Sequence, residues 1–210
     1  MQFEQLQQLN QQIRDCPNYE KENPGCNRCK VFRPVVNVLR PTQKYLIISS
    51  DPSSDTDKSK TDDVPHSDFA LRFLALIFHG NDGEEHTSVV MQNYVSYKRI
   101  FDKYFYWTHF SKCHAKGNPN NFCAKNYLLK EINLFEPELI ISLGAKPVDF
   151  LLGKDNLLNR VNRTLDYNGV PLYASLHPSR NWNLQRRPEF SFNETWGLIR
   201  SAFRFNPQDI

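Results

Sequence analysis

The sequence predicts an α/β fold in which a central four-stranded parallel sheet lies between two layers of helices. Three observations support this prediction. Short apolar runs alternate with stretches of helical periodicity along most of the chain, which is the pattern of a parallel sheet. The apolar runs are continuous rather than alternating, as expected for strands buried on both faces. The chain has 210 residues, of which 40% are hydrophobic and 23% charged, and this is enough for one well-filled domain.

The N-terminal part is expected to differ from the rest of the chain. Apolar residues at helical spacing predict a short amphipathic helix at the start; they are Phe3, Leu6, Leu9 and Ile13. Residues 14–43 then contain four Pro, one Gly and three Cys, which indicates an irregular segment tied down by ligands. We expect one domain over residues 1–210, with the helix and Cys-tied segment in 1–43 and the α/β core in 44–205.

Two strands and one helix are predicted in the first half of the core. The first strand is Y-L-I-I at 45–48, and a polar loop follows it. Ser67 is placed to cap a helix whose apolar residues run from Phe69 to Phe78. Residues 79–93 are expected to form a loop around two glycines. The second strand is the β-prone run 104–108, and the polar stretch 109–121 follows it.

The second half repeats the alternation. A helix is expected through 128–135 and ends before Pro137. The third strand is 139–143, and the helix after it carries Pro147 in its first turn. The fourth strand is 170–175, and a capping box S-x-x-E at 191–194 opens the last helix.

Charge and hydropathy exclude some classes of protein and favour others. No apolar run approaches the roughly 18 residues that a membrane-spanning helix needs, and the start of the chain lacks the features of a signal peptide. We therefore expect an intracellular, cytoplasmic protein, and a monomer. Residues 98–130 contain seven Lys and Arg against one Asp, a basic stripe that would suit phosphate groups.

Three of the predicted strands end in titratable side chains. Asp51 follows the first strand, His109 the second and His177 the fourth. Ligands of parallel α/β sheets bind at the carboxyl ends of the strands. The sequence therefore predicts one cleft that contains a carboxylate and two imidazoles.

Four segments in order resemble the uracil-DNA glycosylase superfamily. Residues 47–53 read I-I-S-S-D-P-S and resemble its first motif, which is G-Q-D-P-Y in one branch and G-E-A-P-G in the iron–sulfur branch. Residues 108–113, T-H-F-S-K-C, resemble T-N-V-V-K-C of the iron–sulfur branch. Residues 136–145 are similar to its P-x-V-I-V-x-L-G-x-x-A, and 177–179 match the second catalytic motif, H-P-S. The resemblance extends from Cys26 to about residue 205.

The resemblance implies a uracil-DNA glycosylase-like fold and a monofunctional DNA glycosylase of base-excision repair. Such an enzyme flips a deaminated or damaged base, uracil above all, out of the DNA stack and hydrolyses its N-glycosidic bond. The transition state has an oxocarbenium-like sugar and a departing anionic base. Asp51 would stabilise the cation or orient the water. His177 would donate to the base oxygen on which negative charge develops.

Further residues are implied as substrate contacts. The polar loop after the first strand would face the substrate with Ser49, Ser50 and Ser53. Ser179 and Arg180 would bind phosphates, and Leu184 or Trp182 would fill the gap left by the flipped base.

The expected base pocket departs from the family pattern at two positions. His109 stands where the family has the Asn that pairs with uracil, and a neutral imidazole cannot form the same bidentate pair. His66 stands where the family has a Phe that stacks on the base, and Phe69 is a nearby substitute. These departures suggest another deaminated or damaged base, or a nucleic-acid binding module of the same fold that recognises a modified base or a DNA end without cutting.

Four cysteines follow the order of the cluster ligands in the iron–sulfur branch, namely Cys26, Cys29, Cys113 and Cys123. The resemblance therefore implies a 4Fe–4S cluster. The nine residues between the last two cysteines form a shorter gap than the family usually has. Structural zinc and unligated buried cysteines remain alternatives, and Cys16 could replace one of the four.

Overall fold

Five strands form one mixed sheet. We describe a computed structural model, which covers residues 2–16, 34–52, 68–113, 121–178 and 192–205. The strands are β1 (Tyr45–Ser49), β2 (Phe105–His109), β3 (Leu139–Leu143), β4 (Leu165–Tyr167) and β5 (Val170–Ser175). Their order is β2-β1-β3-β5-β4. Neighbouring strands are parallel, except that β4 is antiparallel to β5.

The predicted sheet of four parallel strands is therefore wrong in one respect, since the sheet has five strands and is mixed. The additional strand, β4, forms a hairpin with β5 through Asn168 and Gly169. Both residues have positive φ, 54° and 84°, as a two-residue type I′ turn requires. The four strands that were predicted are present as β1, β2, β3 and β5.

Seven helices of the described residues flank the sheet. They are α1 (Gln2–Arg14), α2 (Asp68–His79), α3 (Glu84–Gln92), α4 (Tyr94–Tyr104), α5 (Leu129–Phe135), α6 (Ala145–Leu152) and α7 (Phe192–Ala202). The N-terminal end of α5 continues a π-helical turn, Ala124–Leu128, and a short helical turn, Asn121–Cys123.

The helices form two layers because alternate residues of each strand face opposite sides of the sheet. On one side, α2, α4 and α7 pack against the odd-numbered residues of β1, β2 and β3. On the other side, α5 and α6 pack against the even-numbered residues of the same strands. Helix α1 lies outside α5 and buries its apolar stripe there. The predicted three-layer α/β arrangement is confirmed.

The helix predictions are confirmed for α1, α2, α5, α6 and α7. The predicted loop 79–93 is wrong, because α3 occupies most of it. Gly83 precedes this helix rather than interrupting it, and Glu84 and Glu85 lie in its first turn, where acidic side chains stabilise a helix. Helix α4 was not predicted, and β2 begins one residue after the predicted start at Tyr104. The predicted capping residues, Ser67 and Ser191, lie outside the described residues.

The chain before β1 covers the outer edge of the sheet. Strand β2 is at this edge, where unpaired backbone groups would otherwise be exposed. The backbone N–H of Val35 donates to the carbonyl of Lys112 at 2.7 Å, and the Asn37 side chain donates to the carbonyl of Trp107 at 2.6 Å. The end of the Cys-rich segment is thereby attached beside the loop that follows β2. No helix among these described ranges has the length and apolar character needed to cross a bilayer.

Candidate functional site at the carboxyl edge of the sheet

The loops after β1 and β2 are held together by their backbones. Phe110 N–H donates to the Ser49 carbonyl at 2.8 Å and Ser111 N–H to the Ser50 carbonyl at 2.9 Å. The parallel pairing of the two strands thus continues into the loops. These hydrogen bonds fix the positions at which side chains leave the sheet.

The end of β3 leaves room for the first loop. Gly144 has a φ of +91°, and a Cβ at this position would lie 3.4 Å from the Ser50 hydroxyl oxygen. Its N–H donates to the Ser175 carbonyl at 2.8 Å. Glycine is required here because the left-handed conformation disfavours other side chains.

Asp51 and His177 both lie at the carboxyl edge of the sheet, and both side chains are partly exposed. Asp51 follows β1 and His177 follows β5, and each of these strands pairs with β3. Two strand spacings correspond to about 10 Å across the sheet. These two residues therefore share one edge of the sheet, and the single cleft that they were expected to line stays a prediction.

His109 is buried at the end of β2, the strand on the other side of β1 from β3. It is the register partner of Ser49 on the neighbouring strand, and the distance from its Nδ1 to Ser49 Oγ is 2.6 Å. Ser49 Oγ also accepts a hydrogen bond from Trp107 Nε1 at 3.0 Å. Ser49 is almost completely buried, so its side chain lies behind His109 rather than on the surface of the cleft.

Phe69 connects the two imidazoles. It lies in the first turn of α2, and its ring is nearly parallel to that of His177, with 5.8 Å between centroids and 9° between planes. The same ring lies 6.3 Å from Trp107, which in turn lies 6.3 Å from His109. Phe69 thus packs against His177, and the base stacking expected of it stays a prediction.

The environment of His109 keeps its ring neutral. Burial is the largest cause that lowers its pKa, and the positive charges of Lys112 and His177 add to it. Together they lower the pKa from 6.5 to about 3. The imidazole is therefore uncharged throughout the physiological range.

The stability of the protein should depend on this group in acid. The unfolded chain protonates His109 below about pH 6.5, whereas the folded chain does so only near pH 3. Stability therefore falls as the pH falls through this window. Urea unfolding at pH 7 and pH 5 should show that the wild type loses about 2 kcal/mol more than His109→Asn. Equal losses in the two proteins would contradict this.

A buried polar network supports the loop after β2. Lys112 and Glu131 are each about 1% exposed and form an ion pair. Lys112 Nζ also donates to Thr108 Oγ1 at 2.6 Å, and Thr108 donates to Glu131 Oε1 at 3.0 Å. The Tyr106 hydroxyl donates to the same oxygen at 3.0 Å and lies 3.1 Å from the amide of Asn10. Burial, together with the Glu131 carboxylate, raises the pKa of Tyr106 well above its ordinary value.

The basic stripe predicted over residues 98–130 is not one surface, and this expectation is wrong. Lys112 is buried in the network just described. Lys98 pairs with Asp102 at 2.6 Å on α4, a helix that leads into the start of β2. Lys125 and Lys130 belong to the helix on the opposite side of the sheet. The described basic side chains of this segment are therefore distributed over both helix layers and the core.

Two of the four predicted metal ligands lie in the described part of the chain. Cys113 and Cys123 are both buried thiols, and they lie at the two ends of the stretch after β2. Cys16 is buried as well, and its sulfur lies 3.7 Å from the Tyr127 hydroxyl. Among the described residues, no group of three or more His, Cys, Asp or Glu side chains is placed to hold a metal ion.

Several predicted site residues lie outside the described residues. They are Cys26, Cys29, Ser53, His66, Ser179, Arg180, Trp182 and Leu184. The metal site and the phosphate and wedge contacts that involve them stay predictions.

Sequence reasoning missed Trp107 and Glu131. Trp107 was noted only as β-prone, yet it shares a strand face with His109 because the two are two residues apart. Glu131 lies among the apolar residues of α5, and Tyr106 and Thr108 face the same layer. The available signal was the Glu131 carboxylate on an apolar helix face, which packs on the strand face that carries the hydroxyls of Tyr106 and Thr108.

The fold and the site together define a class of protein. It is an α/β protein that carries a carboxylate and two imidazoles at the carboxyl edge of its sheet. The sequence model of the Uracil DNA glycosylase superfamily matches residues 36–199. This chain therefore belongs to the uracil-DNA glycosylase superfamily, whose members act on DNA, and membership supports a DNA glycosylase-type function.

Proposed function

We propose that the protein is a monofunctional DNA glycosylase that removes a deaminated base, uracil above all, by hydrolysing its N-glycosidic bond. The observation that carries this proposal is the placement of Asp51 and His177 after two strands that flank β3. Side chains from both positions can address one extruded nucleotide between them.

The two residues have complementary roles in this proposal. The Asp51 carboxylate stabilises the positive charge that develops on the sugar and orients the attacking water. His177 donates a hydrogen bond to the base carbonyl on which negative charge accumulates. Phe69 supports the His177 ring through the parallel contact at 5.8 Å. Ser179 and Arg180 would contact the phosphates beside the flipped nucleotide.

Labelled oligonucleotides test the proposal. Each carries a single uracil, hypoxanthine or xanthine, as single strand and duplex, and an undamaged oligonucleotide is the control. Alkali-induced cleavage at one modified base is the expected result and identifies the substrate. Binding to a modified base without cleavage would instead indicate the non-catalytic binding module, and would overturn the enzymatic proposal.

We further propose that Cys113 and Cys123, with Cys26 and Cys29, hold a structural metal centre. A 4Fe–4S cluster is the proposed occupant, and zinc is the alternative. Two features support this. Both described thiols are buried, and the hydrogen bond between Val35 and Lys112 holds the chain after Cys29 beside the loop that contains Cys113.

Metal removal should destabilise the protein, because the centre joins the N-terminal segment to that loop. Elemental analysis and the absorption spectrum of the purified protein identify the metal, and thermal unfolding with and without a chelator measures its contribution. Cys113→Ser should lose the metal, whereas Cys16→Ser, a matched change of another buried thiol, should retain it. Retention of the full metal content by Cys113→Ser would contradict the assignment.

A further inference from the structure

Ser49, Trp107 and His109 form a short hydrogen-bonded chain under the site. The register of β1 and β2 places Ser49 directly beside His109, and Trp107 precedes His109 by two residues on the same strand face. The hydroxyl oxygen of Ser49 lies 2.6 Å from His109 Nδ1 and 3.0 Å from Trp107 Nε1. All three residues are buried.

The directions of the two hydrogen bonds follow from the groups involved. An indole N–H can only donate, so Ser49 Oγ accepts from Trp107. The Ser49 hydroxyl then has one hydrogen, and among the described residues its remaining partner is His109 Nδ1. A hydrogen directed elsewhere would be buried without an acceptor, which is unfavourable. The Ser49 hydroxyl therefore donates to His109 Nδ1, because in this arrangement every one of these groups has a partner.

The ring is held neutral at the same time. His109 is buried, and the Lys112 and His177 charges disfavour a second proton on it. A neutral imidazole carries its proton on one nitrogen only. If Nδ1 accepts from Ser49, then Nε2 carries the hydrogen. In the described part of the chain, Ser49 is the hydrogen-bond partner of the His109 ring, which leaves Nε2–H for a ligand.

We propose that Trp107 and Ser49 are positioning residues that hold neutral His109 in its Nε2–H tautomer, so that the site accepts bases with a carbonyl oxygen at this position. The part that concerns bases rests on the proposed function. Uracil and hypoxanthine present a carbonyl acceptor where cytosine and adenine present an amino donor. An Nε2–H donor favours uracil and hypoxanthine over cytosine and adenine, because two donors cannot form a hydrogen bond with each other.

The two departures from the family motifs are thereby connected. His109 stands at the Asn position and Ser49 at the first Gly position of the motifs quoted above. An Asn side chain offers a donor and an acceptor together, whereas the direction of a His donor depends on its tautomer. The Ser49 hydroxyl donates to His109 Nδ1 and thereby sets this tautomer.

Nitrogen NMR of the full chain labelled with ¹⁵N-histidine tests the tautomer without reference to activity. The spectrum of His109→Asn identifies the signals of His109. In the wild type at neutral pH, Nε2 should be protonated and Nδ1 not. Ser49→Ala should populate the second tautomer, and Trp107→Phe should do so to a smaller extent. Tyr106→Phe, which removes a buried hydrogen bond from the same strand on its other face, should leave the signals unchanged.

An imidazolium signal, an Nδ1–H tautomer, or an unchanged spectrum in Ser49→Ala would overturn the proposal. If Ser49→Ala does not fold, Trp107→Phe decides the question with the same signals.

Excision kinetics test the part that concerns bases. Ser49→Ala should lower kcat/KM on the preferred substrate about fivefold, the usual worth of one neutral hydrogen bond, and Tyr106→Phe should not. The wild type should excise the carbonyl-bearing base and not its amino counterpart. Equal excision of uracil and cytosine would overturn this part. No excision of any base would overturn the proposed function and the base preference, whereas the NMR result would still decide the positioning role.

Discussion

Replacing Asp51 by Asn and His177 by Ala in one chain is expected to reduce base release below detection. In the proposed mechanism, each residue acts where charge develops in the transition state, Asp51 at the sugar and His177 at the base. Removing one donor of this kind lowers kcat about 10²- to 10³-fold. In the double variant neither residue can compensate for the loss of the other, and the two reductions in kcat need not multiply. Single-turnover base release from the preferred oligonucleotide is the appropriate measurement.

Matched variants test whether the loss of a carboxylate and an imidazole matters only at the carboxyl edge. His79 is at the far end of α2, about 15 Å from its first turn, and Asp166 is in the β4–β5 hairpin. His79→Ala and Asp166→Asn therefore remove the same chemical groups away from the carboxyl edge and should leave excision unchanged. Wild-type rates in the double variant of Asp51 and His177 would show that the catalytic groups lie elsewhere.

Lys112→Met is expected to lower the free energy of unfolding by about 3–5 kcal/mol, because it leaves the buried Glu131 carboxylate without its counter-charge. The network that includes Tyr106 and Thr108 accommodates a charged pair and not a lone carboxylate. Glu131→Gln should also lower the free energy of unfolding, because it leaves the buried Lys112 ammonium without its counter-charge. The combined Lys112→Met, Glu131→Gln variant should lose less than the sum of the two single changes. Urea unfolding with comparison of midpoints and m-values measures all three.

A surface ion pair supplies the control. Glu138 is 59% exposed and pairs with Lys44 at 3.1 Å, so Glu138→Gln should cost no more than about 1 kcal/mol. If Lys112→Met were as mild as this control, the buried pair would have no special role in the stability of the loop after β2.

Much of the sheet could be predicted from the sequence because apolar runs identify strands directly. β1 and β3 are continuous apolar runs, and the titratable residues at the ends of β1, β2 and β5 indicated which edge carries the candidate site. The hairpin strand β4 was missed because only three residues pair, and its signal was the dipeptide at Asn168 and Gly169 rather than hydropathy. Helix α3 was missed because two nearby glycines were interpreted as a loop, although one of them precedes the helix.

The site could be predicted as a set of residues but not as a set of contacts. Strand ends identified Asp51, His109 and His177, whereas the hydrogen bond between Ser49 and His109 depends on the register of two strands. The burial of Lys112 illustrates the same point. The charge of Lys112 indicated a phosphate-binding surface, but the side chain is buried and pairs with Glu131 on a neighbouring helix. Such contacts depend on packing, which no local pattern specifies.

Detection of the released base shows directly whether the protein hydrolyses an N-glycosidic bond. The protein is incubated with duplex and single-stranded DNA that contains one uracil, hypoxanthine or xanthine, and the small-molecule products and the DNA are analysed by mass spectrometry. We expect a free carbonyl-bearing base and an intact strand with an abasic site, and we expect neither product with the Asp51→Asn, His177→Ala variant. Recovery of intact modified DNA after incubation with folded protein would contradict the proposed function.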